Sequence, residues 1–230
     1  MQMRKSQEAN SKKEDLINKT CDEQHPYEYF EWKDLEKFYF KNPPRYLEYG
    51  TNRVPSKLRR QTFPELYSNP KLMFNILGDM KCVYDEKKVL HSTSIISAVR
   101  WSYLHDVQNK NISSSIKKFS KMSRENMEKL SESVDLRYLL GIMNSRYASV
   151  LVTNLRGDDY HIYAEHIRNI PVPNATAEEQ QAIIALVDKI LAVKKADSQT
   201  DTTEIEKQID AAVYALYGLS AEEIATVEKA

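Results

Sequence analysis

Glycine, cysteine and long apolar runs are all scarce in this chain. Only five glycines occur in 230 residues, and none forms the glycine-rich strand-to-helix turn that holds a nucleotide-type cofactor. Cysteine is limited to Cys21 and Cys82. They are far apart and in no metal-ligand spacing, so free thiols in a reducing, cytoplasmic compartment are expected. No apolar stretch approaches the ~18 residues of a membrane span, and the N-terminus lacks the apolar segment of a signal peptide, so no membrane partner is expected. The five histidines enter no Ser/His/Asp or Cys/His arrangement.

What is present is charge, unevenly spread. With 41% hydrophobic and 29% charged residues, the chain can bury one core, or one core plus a helical appendage. Its net charge of zero hides an asymmetry. Residues 1–130 carry 24 Lys+Arg against 17 Asp+Glu, and residues 131–230 carry 9 against 16. A basic first part suits a polyanion, which an acidic second part would repel.

The pattern divides the chain into a flexible polar leader (1–26), a body (27–174) and a C-terminal helical element (175–230). Aromatics crowd between Tyr27 and Phe40, as a core for a sheet or as a stacking surface for bases. Strands are predicted at Lys71–Ile76, Lys81–Tyr84 and within His91–Trp101. A loop is expected at Asn109–Asn111 and a helix start at Ser123. Leu136, Leu139, Leu140, Met143 and Tyr147 predict one buried helix running through Asn144-Ser145-Arg146. Pro171 and Pro173 predict an extended Tyr160–Pro173.

Beyond them, Thr176-x-x-Glu179 and Thr203-x-x-Glu206 read as capping boxes. Each precedes an apolar stripe: Ile183, Leu186, Val187, Ile190 and Leu191, then Ile205, Ile209, Val213, Leu216 and Tyr217. Gly218 suits a left-handed helix end, and Ser220-x-x-Glu223 caps a short terminal turn. The fold class is therefore α+β, a mixed β-sheet followed by a C-terminal αα-hairpin that packs and docks.

Three constellations invite enzyme readings. Asn42-Pro43-Pro44 is like the Asn-Pro-Pro-Tyr of amino-methyltransferases, but Arg45 stands where an aromatic must stack on a flipped base, so a rigid turn is expected. Asp79 with Glu86-x-Lys88 mimics a Mg-dependent nuclease core on a spacing that also suits a solvated turn. Asp158, Asp159, His161, Glu165 and His166 cluster without an established metal spacing. The basic residues carry more. Lys33 to Arg60 holds eight Lys/Arg against three acids, and a second basic stretch runs from Arg100 to Arg124. The candidate DNA-binding residues are Arg45, Arg53, Lys57, Arg59, Arg60, Lys71, Arg100, Lys117 and Lys118, able to neutralise phosphates or pair with guanine.

The run from Leu139-Leu-Gly-Ile-Met-Asn-Ser-Arg146 through Asn169-Ile-Pro-Val-Pro173, Glu178-Glu-Gln-Gln181, Leu186-Val-Asp-Lys-Ile-Leu191 and Tyr214-Ala-Leu-Tyr-Gly-Leu-Ser220 resembles the C-terminal specificity region of TaqI-like N6-adenine DNA methyltransferases. Fused methyltransferase–endonucleases of restriction–modification systems have a similar region. The resemblance implies a target recognition domain that reads double-stranded DNA without catalytic residues of its own. Its partner would be a methyltransferase or endonuclease catalytic domain or subunit in a bacterial cytoplasm, with S-adenosylmethionine and Mg expected only there. A protein-interaction module docking on a methyltransferase, and a cryptic Mg-dependent nuclease, are the other readings.

Overall fold

A computed structural model describes residues 16–51, 65–118 and 121–230. The fold is α+β, with 49% of the described residues helical and 15% strand; the strands among them all precede residue 99 and most of the helix follows residue 109. The chain forms two compact units. The first draws on Met1–Asp34, Asn42–Met73 and Asp85–Ser133, the second on Leu35–Lys41, Phe74–Tyr84 and Val134–Ala230.

In the first unit, β1 (Ile17–Asn18), β2 (Tyr27–Phe30), β3 (Arg45–Leu47) and β6 (Leu90–His91) form a sheet ordered β1-β3-β2-β6. β3 runs antiparallel to both its neighbours and β6 parallel to β2, so the sheet is mixed. Its core gathers Leu16, Tyr29, Leu47, Tyr67 and Leu90. Residues 16–18, expected inside a polar leader, thus contribute a buried leucine and a paired strand. Tyr67 comes from the short α1 (Glu65–Ser68). The turn at Pro43-Pro44 is pinned by buried Asp34, whose carboxylate accepts from Asn42 Nδ2 at 2.9 Å, Arg45 Nη2 at 2.7 Å and the Glu31 N–H at 2.7 Å. Prolines bring no donor of their own, so side chains hold this turn.

A second sheet is ordered β5-β4-β7, from β5 (Cys82–Asp85), β4 (Lys71–Asn75) and β7 (Ile95–Ala98). Every residue of the central strand β4 is buried, the apolar Leu72–Phe74 and also the flanking Lys71 and Asn75. The first unit ends in a 3₁₀ turn (Trp101–Leu104), α2 (Lys110–Lys118) and α3 (Arg124–Glu132). Ser123 caps α3 as expected, accepting from the Asn126 N–H. The predicted loop at Asn109–Asn111 is the start of α2 instead, because Asn109 Oδ1 accepts the Asn111 N–H and caps it.

The second unit is built on α4 (Leu136–Asn144), α5 (Arg146–Arg156), α6 (Ala164–Arg168), α7 (Ala177–Ala196), α8 (Thr203–Tyr217) and α9 (Ala221–Lys229). The expected αα-hairpin is α7 with α8. Ile183, Val187, Ile190, Ile209 and Val213 of its stripes are fully buried. Gly141 lets α4 cross α7 closely: a Cβ built there would lie 2.5 Å from Ile183 Cγ2.

Four local expectations need correction. The helix expected through Asn144-Ser145-Arg146 breaks at Ser145, which leaves helical geometry (ψ 156°) and caps α5 through its hydroxyl. Apolar periodicity continues across the break, so pattern alone cannot reveal it. Residues 160–173 are not extended throughout, since Ala164–Arg168 forms a helical turn. Proline constrains itself and the residue before it, so the exclusion reaches back only to Ile170. Pro171 and Pro173 do remain outside helix, and their carbonyls accept from the Tyr217 and Tyr138 hydroxyls.

The box Thr203-x-x-Glu206 is not formed. Thr202 is the cap residue, its hydroxyl donates to Glu206 at 2.7 Å, and that of Thr203 donates to Asp201 at 2.6 Å. The terminal turn after Ser220 is a helix of nine residues. The Thr176/Glu179 and Ser220/Glu223 boxes are both present. Gly218 is left-handed (φ 65°) and the Leu219 N–H returns to the Tyr214 carbonyl, closing a Schellman-type end.

Candidate nucleic-acid interface

The charge asymmetry persists, somewhat reduced, when counted by unit: 21 Lys+Arg against 16 Asp+Glu in the first, 12 against 17 in the second. The first unit's basic surface is carried by a braced end. α3 packs on the 3₁₀ turn, where the Ser102 N–H donates to Ser131 Oγ at 2.9 Å. Arg124 threads between them, donating to the Leu104 and Val107 carbonyls and, at 2.8 Å, to Glu128. Glu128 also meets His105 Nδ1 at 2.7 Å. That bond, followed by the charge of Asp106, raises the His105 pKa.

Beside this bracing, α2 buries Ile112 and turns a polar face outward. An open hollow of about 450 Å³ is lined by Gln108, Asn109, Lys110, Ser113, Ser114 and Lys117. Two ammonium groups, two hydroxyls and two amides make up the wall, with no carboxylate among them. Such a surface offers donors to an anion and nothing that repels one. Sequence reasoning found the lysines but missed the amides and hydroxyls. The signal was there: Ile112 and Ile116 at i, i+4 leave Lys110, Ser113, Ser114 and Lys117 on the other side of a helix.

The other candidates scatter. Arg45 is half-buried over the Tyr29 ring and bonded to Glu31 and Asp34, so its charge is largely spent within the protein. Lys71 is corrected outright, because it is fully buried and paired with Asp85, beyond the reach of a phosphate. Asp85 also accepts the Lys87 and Val89 N–H groups, and burial pulls the Lys71 pKa down against the pull of Asp85. The strand that holds it is buried at every position, so a lysine there has no solvent-facing side to occupy. Arg53, Lys57, Arg59 and Arg60 lie outside the described residues. Lys117 lines the hollow, Lys118 closes the same helix, and Arg100 precedes the 3₁₀ turn.

Members of the enzyme-like constellations make local contacts. Asp79 lies 3.8 Å from the Arg156 guanidinium. Asp159 bonds His161, whose ring stacks toward Tyr163. Among the described residues no group of three or more His, Cys, Asp or Glu converges to hold a metal. His91, isolated in sequence, is fully buried. Its Nδ1 faces the Ser92 carbonyl at 2.9 Å and its Nε2 faces the Ser97 hydroxyl at 2.6 Å. Burial pushes its pKa well down, so the neutral ring donates from Nδ1 and accepts at Nε2, satisfying both nitrogens.

Among the described residues no helix is long and apolar enough to cross a membrane. Compared with known proteins, the chain matches no family profile and no curated protein.

Proposed function

We propose that this chain is a target recognition module. It binds double-stranded DNA with sequence preference and leaves the chemistry to a methyltransferase or endonuclease part of a bacterial restriction–modification system. The observation that carries the reading is the carboxylate-free hollow on α2, walled by two lysines and four neutral hydrogen-bonding side chains on the more basic unit. Lysine and hydroxyl donors are the groups that fix a protein on a phosphate backbone. The resemblance of residues 139–224 to TaqI-like specificity regions supports the class of system. In this reading S-adenosylmethionine and Mg belong to the catalytic part, and the site of action is the cytoplasm.

Selection from randomised duplexes by electrophoretic shift tests it. Retained duplexes are expected to share a sequence; equal retention of all sequences, or of none, removes the reading. Calorimetric titration with S-adenosylmethionine is expected to show no saturable binding, and micromolar binding would overturn the placing of the chemistry elsewhere.

An exposed apolar set in the second unit, Leu155, Tyr160, Tyr163 and Val172, favours docking of the catalytic part there as a second role of the same module.

A further inference from the structure

Seven arginines fall within the described residues, and six of them donate to acceptors in the protein. Arg45 bonds Glu31 and Asp34, and Arg124 bonds Glu128 with the Leu104 and Val107 carbonyls. Arg137 bonds Asp135 and Asp188, and Arg146 reaches the Val227 carbonyl. Arg156 reaches the Gly78 carbonyl and Arg168 bonds Glu165. Arg100 differs. Among the described residues it has no hydrogen-bond acceptor; its Nε, like that of Arg156, is buried without a partner. Its half-buried guanidinium lies over the Tyr103 ring, 5.8 Å from the centroid. The terminal nitrogens Nη1 and Nη2, not being buried, are left as its open edge.

The support beneath Arg100 is rigid. The Tyr103 N–H returns to the Arg100 carbonyl at 3.2 Å, and the 3₁₀ turn is held to α3 by Ser131 and Arg124. A phosphate contact tolerates a flexible ammonium on the surface. Reading a base edge needs a planar fork held in one orientation, and the Tyr103 ring beside the guanidinium and the shielding of Nε leave Nη1 and Nη2 as the edge presented.

We infer that Arg100 is a specificity-determining residue, presenting Nη1 and Nη2 end-on to the O6 and N7 of a guanine in the DNA major groove, where the bidentate arginine–guanine pair discriminates among bases. This rests on the DNA-binding reading above and adds to it the base and the residue that reads it.

The test uses the full chain and the duplex it selects. Arg100→Lys keeps the charge but loses the fork. It is expected to lower discrimination at one G·C pair by roughly 5- to 150-fold, the worth of one bidentate pair, with an unchanged salt slope. Replacing that guanine by 7-deazaguanine removes N7. It is expected to weaken binding by the wild-type chain and leave Arg100→Lys nearly insensitive. Circular dichroism melting of Arg100→Lys controls for folding, and if that variant is unfolded the 7-deazaguanine series on the wild-type chain decides alone. Uniform weakening on every sequence, with the salt slope of Arg100→Ala reduced by about one, would make Arg100 a phosphate contact and overturn the inference. So would indifference of the wild-type chain to 7-deazaguanine at every selected guanine. Wild-type binding without sequence preference removes the DNA-reading function first, and this inference with it.

Discussion

The two units spend their polar side chains differently. In the second, charged groups are engaged internally: Arg137 clamps Asp135 and Asp188, Asp210 accepts the Arg146 N–H at 2.7 Å, and the Glu179 and Glu223 capping boxes start α7 and α9. Its excess charge is negative. In the first, Asp34, the Lys71–Asp85 pair and the Arg124–Glu128–His105 contacts are likewise closed within the protein, while α2 and Arg100 leave donors open. Among the described residues, Arg100 of the first unit is thus left without an internal acceptor, where the arginines of the second are all engaged. The lesson is that a basic count says little until each cation's partner is known: Lys71 and Arg100 are both basic, and only one has anything to offer.

Substitutions can break that contrast. The largest effect is expected from Ile190→Asp in the second unit. It places an unpaired charge in a fully buried seam and should cost about 5 kcal/mol, read as loss of the unfolding transition at ordinary temperatures. Lys71→Met, in the first unit, strands the Asp85 carboxylate and should cost about 3–4 kcal/mol in denaturant unfolding. A neutral outcome would mean that the pair does not hold this unit together.

Gly141→Ala forces a methyl into Ile183. The overpacking cost of about 1–3 kcal/mol outweighs the gain of about 1 kcal/mol in helix propensity, for a small net loss measurable by thermal melting. Lys110→Ala and Lys117→Ala should leave stability within about 0.5 kcal/mol, yet each should lower the salt slope of duplex binding by about one. Unchanged slopes for both would reduce the hollow to a solvated face.

The smallest effect concerns pH. His105 is raised above its ordinary range by Glu128, so its contact stabilises the fold fully below the ordinary histidine pKa. That contribution is lost as pH rises through the raised folded value. Glu128→Gln should bring the His105 midpoint, followed by NMR, back toward the ordinary value.

Much of this architecture was legible where local chemistry decides it. Thr176/Glu179, Ser220/Glu223 and Gly218 announce their helix ends because the same few residues that write the signal make the bonds. β4 was legible from its apolar run. Ser145 was not, since a break inside a continuing apolar stripe is fixed by what the break allows: Asn144, freed from further helix, faces Cys82. Nor was Thr202, because two adjacent threonines compete for one cap and Asp201 captures the second. Among the candidate cations, sequence could count charges but not partners, since Glu31, Asp34 and Asp85 reach Arg45 and Lys71 from other segments. Arg100 stands out only once the acceptor of every other arginine among the described residues is known.

The buried Asn144 amide has one more consequence. Its Oδ1 accepts the Cys82 N–H and its Nδ2 donates to the Cys82 carbonyl, both at 2.9 Å; that carbonyl also accepts the Phe38 N–H at 3.0 Å, so the side chain alone pairs the Cys82 N–H. The Cys82 amide proton is then locked by a helix terminus rather than by a sheet ladder. Its exchange with deuterium becomes a clock for the release of that helix end, and Asn144→Leu would let this one proton exchange early while other β5 amides keep their own pace.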